Sequence, residues 1–112
     1  MTVKAHIRGT GHIYISGDES LEIWIQKSSA AELPFVVGQM VPITLVIDGA
    51  SYEAGLRATE NNDYVWISPK LRIADGTARR ISDVARIHAL KKNQTIDLTV
   101  SGTTLTLTRR SA

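Results

Sequence analysis

Cysteine is absent from the 112 residues of this chain. The chain therefore has no disulfide framework, no thiolate metal site and no thiol nucleophile. No apolar run reaches membrane-spanning length, and the opening residues, MTVKAHIRGTGH, lack the apolar segment of a secretory leader. We expect a single domain over residues 1–112 that is soluble, unprocessed and cytoplasmic, with no membrane contact.

The sequence also lacks the short motifs that carry common enzyme chemistry. It contains no G-x-S-x-G nucleophile elbow, no phosphate-binding P-loop and no dinucleotide-binding glycine fingerprint. The three histidines, His6, His12 and His88, do not have metal-ligand spacing. Asp18 and Glu19 are neighbours on a predicted turn, so they should diverge rather than form an acid–base pair. We therefore expect a protein that is not an enzyme, with no catalytic residue, metal site or cofactor.

Although the formal net charge is only +2, the charged residues are unevenly distributed along the chain. Basic residues far outnumber acidic residues in 70–92, whereas Arg57 is the only basic residue of 28–69. This asymmetry is typical of a solvated basic surface, and it also allows an anionic partner.

Alternating apolar residues and turn signals predict that most of the chain is β-strand. The Asp48–Gly49 pair is a strong signal for a two-residue hairpin, because a type I′ turn needs positive φ angles. Such a turn pairs Leu45 with Tyr52, and their neighbours two residues away fall on the same apolar face.

A second hairpin is predicted with its turn at Asn61–Asn62. This register pairs Ala58 with Val65 and leaves the alternate residues of both strands on the outer face. The outer side chains of this hairpin are Arg57, Thr59, Tyr64 and Trp66.

Two other hairpins are predicted at the ends of the chain. A Ser101–Gly102 turn is expected to pair Leu98 with Leu105. Near the N-terminus, a loop over residues 17–19 is expected to place Tyr14 opposite Glu22. The outer set of these N-terminal strands is His12, Tyr14, Ser16, Glu22, Trp24 and Gln26.

Two segments have helical signals. The stretch SSAAELP begins with a serine cap and is stopped by Pro34. The stretch ISDVARIHALKKN can be capped by Ser82 and can end at Asn93. The sum is about seven strands, with one short helix after the second strand and another after the fifth.

Aromatic residues at outer positions give the best functional lead. Each ring alone is explained by packing under a helix or loop. The combined pattern favours binding, because Gln26 can read an adenine edge, Arg57 a guanine edge and Glu22 can accept from cytosine. Basic residues that follow the two outer hairpins can contact phosphates without reading sequence. These basic residues are Lys27, Lys70 and Arg72.

The order of elements resembles the DNA-binding pseudobarrel. This is the fold of the plant "B-three" transcription-factor domain and of the effector domains of some bacterial restriction endonucleases. The resemblance rests on the stretches LEIWIQKSSAAELPF, IDGASYEAGLRATENNDYVWIS and ISDVARIHALKKNQTIDLTV. It implies a mainly β, open seven-stranded pseudobarrel with two short helices at its ends. It also implies two arms, Tyr14–Lys27 and Arg57–Trp66, that grip the major groove.

We therefore expect a non-catalytic module that binds double-stranded DNA with sequence preference. A partner nuclease subunit is compatible with this role, and the sequence specifies no oligomeric state. Base edges are assigned to Gln26, Arg57, Asn61 and Asn62; phosphates to Lys27, Lys70 and Arg72; and packing anchors to Trp24, Tyr64 and Trp66. Tyr14, Ser16, Glu22 and Thr59 complete the expected DNA-binding set.

A different class of function is also open. The aromatic side chains could bind a small ligand or a protein partner, as on a small bacterial barrel. Salt separates the two hypotheses, because phosphate contacts weaken steeply as salt rises and apolar contacts do not.

Overall fold

A computed structural model describes residues 2–108, and most of its regular structure is β-strand. The strands are β1 (Thr2–Ile13), β2 (Glu19–Gln26), β3 (Met40–Ile47), β4 (Ala50–Ala58), β5 (Tyr64–Ile67), β6 (Lys70–Arg72), β7 (Ala78–Arg80), β8 (Thr95–Ser101) and β9 (Thr104–Thr108). One α-helix, α1 (Ile81–Ile87), and one 3₁₀ turn (Lys27–Ser29) are present in the described part of the chain. No helix within residues 2–108 is both long enough and apolar enough to cross a lipid bilayer.

Seven strands form a closed barrel in the order β3–β9–β8–β1–β2–β5–β4, and β4 pairs back with β3. The β3–β9 pair is parallel, with Leu45 opposite Leu105, and the other pairs of the barrel are antiparallel. The prediction of a mainly β, seven-stranded barrel is confirmed. The prediction that the barrel is open is wrong, because β9 pairs with β3 and removes both free edges.

The inner face of the barrel is a row of aliphatic side chains that continues from strand to strand. Ile7 lies opposite Ile23, Ile23 opposite Ile67, and Ile67 opposite Leu56. All four are at most 1% exposed. Because side chains alternate along a strand, this inner row fixes which residues of β1, β2, β4 and β5 point outward.

The β3–β4 hairpin has the predicted register. Ile47 pairs with Ala50 and Leu45 with Tyr52. Asp48 and Gly49 have φ angles of 50° and 83°, as a type I′ turn requires. The β4–β5 register is also confirmed, with Ala58 opposite Val65.

Replacing Gly49 with alanine should destabilise the fold by about 1–2 kcal/mol, because an L side chain is strained at positive φ. The added methyl group would meet no atom within 4 Å, so backbone strain is the whole effect. Urea unfolding measures it, and Ser51→Ala, at an exposed strand position, is the control. Equal midpoints for both variants would contradict the turn geometry.

The C-terminal hairpin has a different register from the predicted one. Ser101 pairs with Thr104 and Leu98 with Leu107, so the two turn residues are Gly102 and Thr103. Gly102 alone of these has a positive φ, 60°, which fits a type II′ turn. The pairing is displaced by two residues on β9, and a displacement of two leaves every side chain on its predicted face.

The predicted register of the two N-terminal strands is also wrong. Leu21 lies opposite Gly9 and Glu22 opposite Arg8, with an irregularity between Gly9 and Ile13. Tyr14 therefore does not face Glu22. The core positions are filled by Val3, Ala5 and Ile7, so Ile13 and Ile15 are 56% and 108% exposed.

The prediction of two helices is wrong as well. The segment predicted from SSAAELP forms only the 3₁₀ turn, followed by a bend that buries Ala30 and Leu33 in the core. A stretch this short is marginal as a helix, and burial of its two apolar residues decides its path. The second helix is present as α1, with Ile81, Val84 and Ala85 buried. Its predicted bounds are wrong, because Arg80 rather than Ser82 holds the cap position and the helix ends at Ile87 rather than at Asn93.

Candidate functional site

One row of outward side chains crosses five strands of the barrel. His6 lies opposite Trp24, Trp24 opposite Trp66, Trp66 opposite Arg57, and Arg57 opposite Met40. Gln26 lies opposite Tyr64 in the next row. We call the surface formed by these rows the aromatic face. Its members are His6, Arg8, Glu22, Trp24, Gln26, Arg57, Tyr64 and Trp66.

The rings of the aromatic face pack against one another on the outside of the barrel. Trp24 and Tyr64 are stacked, with centroids 3.8 Å apart and planes 8° apart. Tyr64 and Trp66 are tilted by 59°, with centroids 5.7 Å apart. All three side chains are half-buried. Their burial comes partly from mutual contact, and the row remains accessible from the outside.

Polar groups fix the orientation of these rings. The Trp24 indole N–H donates to Glu22 Oε1 at 2.7 Å. Burial, and then the Glu22 carboxylate, raise the pKa of Tyr64, so its phenol stays protonated at neutral pH. Arg8 lies 6.0 Å from the Trp24 ring centroid and donates to Asn93 Oδ1 at 3.3 Å. The face thus combines aromatic surface with a cation and fixed hydrogen-bonding groups.

His6 and Arg8 belong to the aromatic face and were not among the residues predicted for the site. His6 also hydrogen-bonds the Thr95 hydroxyl through Nδ1 at 3.1 Å. The alternation of β1 indicates that His6 and Arg8 point outward, because they flank the apolar Ile7. Their position beside Trp24 depends on the irregularity after Gly9, which the sequence pattern does not reveal.

The two loops of the predicted arms lie at opposite ends of the β2–β5 pair. Residues 14–18 precede β2, residues 59–63 precede β5, and the two strands are antiparallel. The 59–63 loop carries Asn61, Asn62 and Thr59, and it is joined to the end of β2 through Lys27. The Lys27 ammonium donates to the Thr59 carbonyl at 2.5 Å, and its backbone N–H donates to Asp63 O at 2.8 Å.

Tyr14 and Ser16 do not join the aromatic rings. The Tyr14 phenol donates to Ser20 Oγ at 3.1 Å, and the Arg80 guanidinium lies 3.9 Å from the Tyr14 ring centroid. Ser16 donates to Asp18 Oδ2 at 3.3 Å. This loop therefore packs towards the start of α1.

Two ion pairs tie the same loop to α1 and the segment after it. Asp18 pairs with Arg86, and Glu19 pairs with Lys92 at 2.9 Å. The hydrogen bond from Arg86 lowers the pKa of Asp18, and the hydrogen bond from Lys92 lowers the pKa of Glu19. The acidic residues of this loop are thus occupied by cations within the protein.

These shifts predict a small stability change at acid pH. Because both folded-state pKa values are lowered, the ion pairs stabilise the fold above the ordinary pKa values of about 4 and lose their effect as pH falls further. NMR titration should show both carboxyl groups protonating below their ordinary values. Below about pH 4, the free energy of unfolding of the Asp18→Asn, Glu19→Gln variant should decline less steeply than that of the wild type. An unchanged decline would contradict the pairing.

Lys70 and Arg72 lie away from the rings, on β6. Strand β6 pairs with the same edge of β4 as β5 does, with Arg72 opposite Glu53, four residues before Arg57. Both side chains line a groove that Arg57 also borders. Arg57 is therefore shared between the aromatic face and this groove.

A hydrogen-bonded chain of Tyr52, His88 and Asp48 has the residue types of a proton relay. The Tyr52 phenol and the Asp48 carboxylate each lie 2.9 Å from a ring nitrogen of His88. Tyr52 is only 6% exposed. The chain joins the β3–β4 turn to the end of α1. Within residues 2–108, no group of three or more His, Asp or Glu side chains is placed to hold a metal ion.

In comparisons with known proteins, no family model, no curated protein and no solved structure matches this chain. The fold and the site define a small, mainly β protein whose closed seven-stranded barrel carries an aromatic face.

Proposed function

We propose that this protein is a non-catalytic module that binds double-stranded DNA with sequence preference, in the manner of DNA-binding pseudobarrel domains. The observation that carries the proposal is the outer row of His6, Trp24, Trp66 and Arg57. This row places a guanidinium, which can read a guanine edge bidentately, directly beside rigid rings.

The dimensions of the aromatic face suit a duplex. Strand β2 has 8 residues, so its two ends are separated by about 23 Å at about 3.3 Å per step. The major groove is about 12 Å wide. Trp24 lies about 7 Å from the Gln26 end of β2 and about 17 Å from the Glu19 end. A major groove centred over Trp24 and Trp66 would therefore have one of its backbones near the 59–63 loop.

The proposed roles follow from position. Gln26 and Arg57 lie on the face itself and would contact base edges, with Asn61 and Asn62 reaching in from the adjacent loop. Lys27, at the same end, would contact phosphate. Trp24, Tyr64 and Trp66 would pack against sugars and bases as rigid anchors.

A partner nuclease subunit remains part of the proposal. In a restriction system, such a module would supply recognition, and the partner would supply cleavage. A mixture of the two proteins should then cleave only duplexes that contain the preferred site.

Selection from a randomised duplex pool, followed by gel shift of the enriched sequence, tests the proposal. We expect enrichment of a defined site and binding that weakens steeply as salt rises. Weak binding of the matching single strand would support duplex recognition. Enrichment of no sequence and no salt dependence would favour the alternative, a small ligand or a protein bound by the aromatic face.

Replacing Arg57 with alanine should cost about 1–3 kcal/mol at the preferred site and relax the preference at one base pair. Lys70→Ala should weaken all sequences alike, because a phosphate contact reads no base. Competition binding with single-base variants of the site measures both effects. Equal losses across sequences for Arg57→Ala would exclude a base-reading role for this residue.

A further inference from the structure

A groove on the outside of the barrel, next to the aromatic face, has the character of an anion-binding site. It runs along β3 and β4 and is walled by β6, β7 and the start of α1, with a volume of about 1210 Å³. Pro42, Gly55 and Leu71 are among its uncharged lining residues. We call it the basic groove, because Arg57, Lys70, Arg72, Arg79 and Arg80 line it.

Three of these cations have no internal partner. Arg57, Lys70 and Arg72 are exposed, and within residues 2–108 none of them forms an ion pair or a side-chain hydrogen bond. The other two arginines of the groove are engaged: Arg80 lies over the Tyr14 ring, and Arg79 donates to the Ala78 carbonyl at 3.0 Å. Arg57, Lys70 and Arg72 are therefore the cations of the groove that are available to an anion.

The acidic residues of the groove do not neutralise these cations. Glu53 is the cross-strand neighbour of Arg72 but does not form an ion pair with it. Asp83 accepts a hydrogen bond from the Arg80 backbone N–H at 3.3 Å. The basic residues that line the groove outnumber the acidic ones, and a concave surface of one charge sign concentrates counter-ions.

The arrangement of the cations suits phosphate. Lys70 and Arg72 project from the same side of β6, with Cα atoms about 6.6 Å apart for two strand residues. Arginine can bind phosphate oxygens bidentately, and lysine supplies a compact charge to the same kind of group.

We propose that the basic groove binds phosphate groups, carried by a free nucleotide or by the backbone of a nucleic-acid strand, separately from the aromatic face. Arg57 borders both sites, and the DNA proposal also assigns a phosphate contact to Lys70. Binding of pyrophosphate or ATP in the groove does not require that the aromatic face recognise DNA, so each proposal can fail while the other holds.

Three probes test this site by isothermal titration calorimetry at low salt: pyrophosphate, ATP and a short DNA duplex. The test variant is Lys70→Ala, Arg72→Ala, which removes two exposed cations of the groove. The matched control is Lys4→Ala, Lys91→Ala, which removes two exposed cations outside the groove. Circular dichroism of each variant checks that the barrel is folded.

We expect the groove variant to bind pyrophosphate at least about tenfold more weakly than the wild type. The control should stay within about twofold, because Lys4 and Lys91 do not line the groove and would make no direct contact with the anion. For the duplex, the slope of log K against log salt should fall by about 1.8 if both phosphate contacts are lost.

The three probes distinguish the sources of phosphate. Weakened binding of pyrophosphate and ATP identifies a site that accepts free nucleotides, and weakened binding of the duplex alone identifies a backbone site. Either result supports the proposal. It is overturned if the wild type binds none of the probes, or if the groove variant binds all of them as tightly as the wild type.

Discussion

Replacing Trp66 with alanine is expected to weaken binding of the preferred duplex by about thirtyfold or more, since buried aromatic anchors contribute at least about 2 kcal/mol at interfaces. Trp66 lies between Trp24 and Arg57 in the outer row and contacts the Tyr64 ring. Its removal takes away a contact surface and the support that orients its neighbours. Fluorescence anisotropy with the selected duplex, at one fixed salt concentration, measures the loss.

Trp66→Phe is the matched variant for this prediction. It keeps an aromatic ring at the same position, so its loss of affinity should be much smaller than that of Trp66→Ala. Thermal unfolding of both variants separates a binding defect from a folding defect. An alanine variant that remains folded and binds as tightly as the wild type would remove the aromatic face from the DNA proposal.

Replacing Ile67 with alanine should lower the free energy of unfolding by about 2–5 kcal/mol, because a cavity remains where the larger side chain was buried. Ile67 is 0% exposed and lies between Ile23 and Leu56 in the inner row. A loss of this size is a large fraction of the stability of an ordinary domain, about 5–15 kcal/mol. Urea unfolding followed by tryptophan fluorescence measures it.

Ile87 provides the control for this measurement. It is 67% exposed on α1, so Ile87→Ala should change stability by no more than about 0.5 kcal/mol. If the two alanine variants had the same midpoint, the inner row would not be the core of the barrel. The comparison also tests the alternation that places Trp66 outside, because Ile67 and Trp66 are consecutive residues.

Much of the aromatic face could be predicted because local rules govern it. A two-residue turn at Asp48–Gly49 fixes the register of β3 and β4, and strand alternation then assigns each side chain to a face. The same alternation placed Trp24, Tyr64 and Trp66 outside, where they are found. No long-range information is needed for such assignments.

The rest of the site depends on contacts between distant segments. His6 joins Trp24 because the first half of β1 pairs with β2, in a register that shifts between Gly9 and Ile13. Lys70 and Arg72 are separated from the rings because β6 pairs with β4 at Glu53, four residues before Arg57. In both cases the position of a side chain depends on which distant strand its own strand pairs with. The periodic pattern of a single strand does not contain that information.

The sequence by itself determined a mainly β chain, the inner and outer faces of its central strands and the position of α1. Only the tertiary structure decided that β9 pairs in parallel with β3 and closes the barrel, that Ala30 and Leu33 fold inward without a helix, and that Arg57 borders two sites. The physical reason is the range of the interactions. Turn geometry and side-chain alternation act over a few residues, whereas barrel closure depends on pairing between strands far apart in sequence.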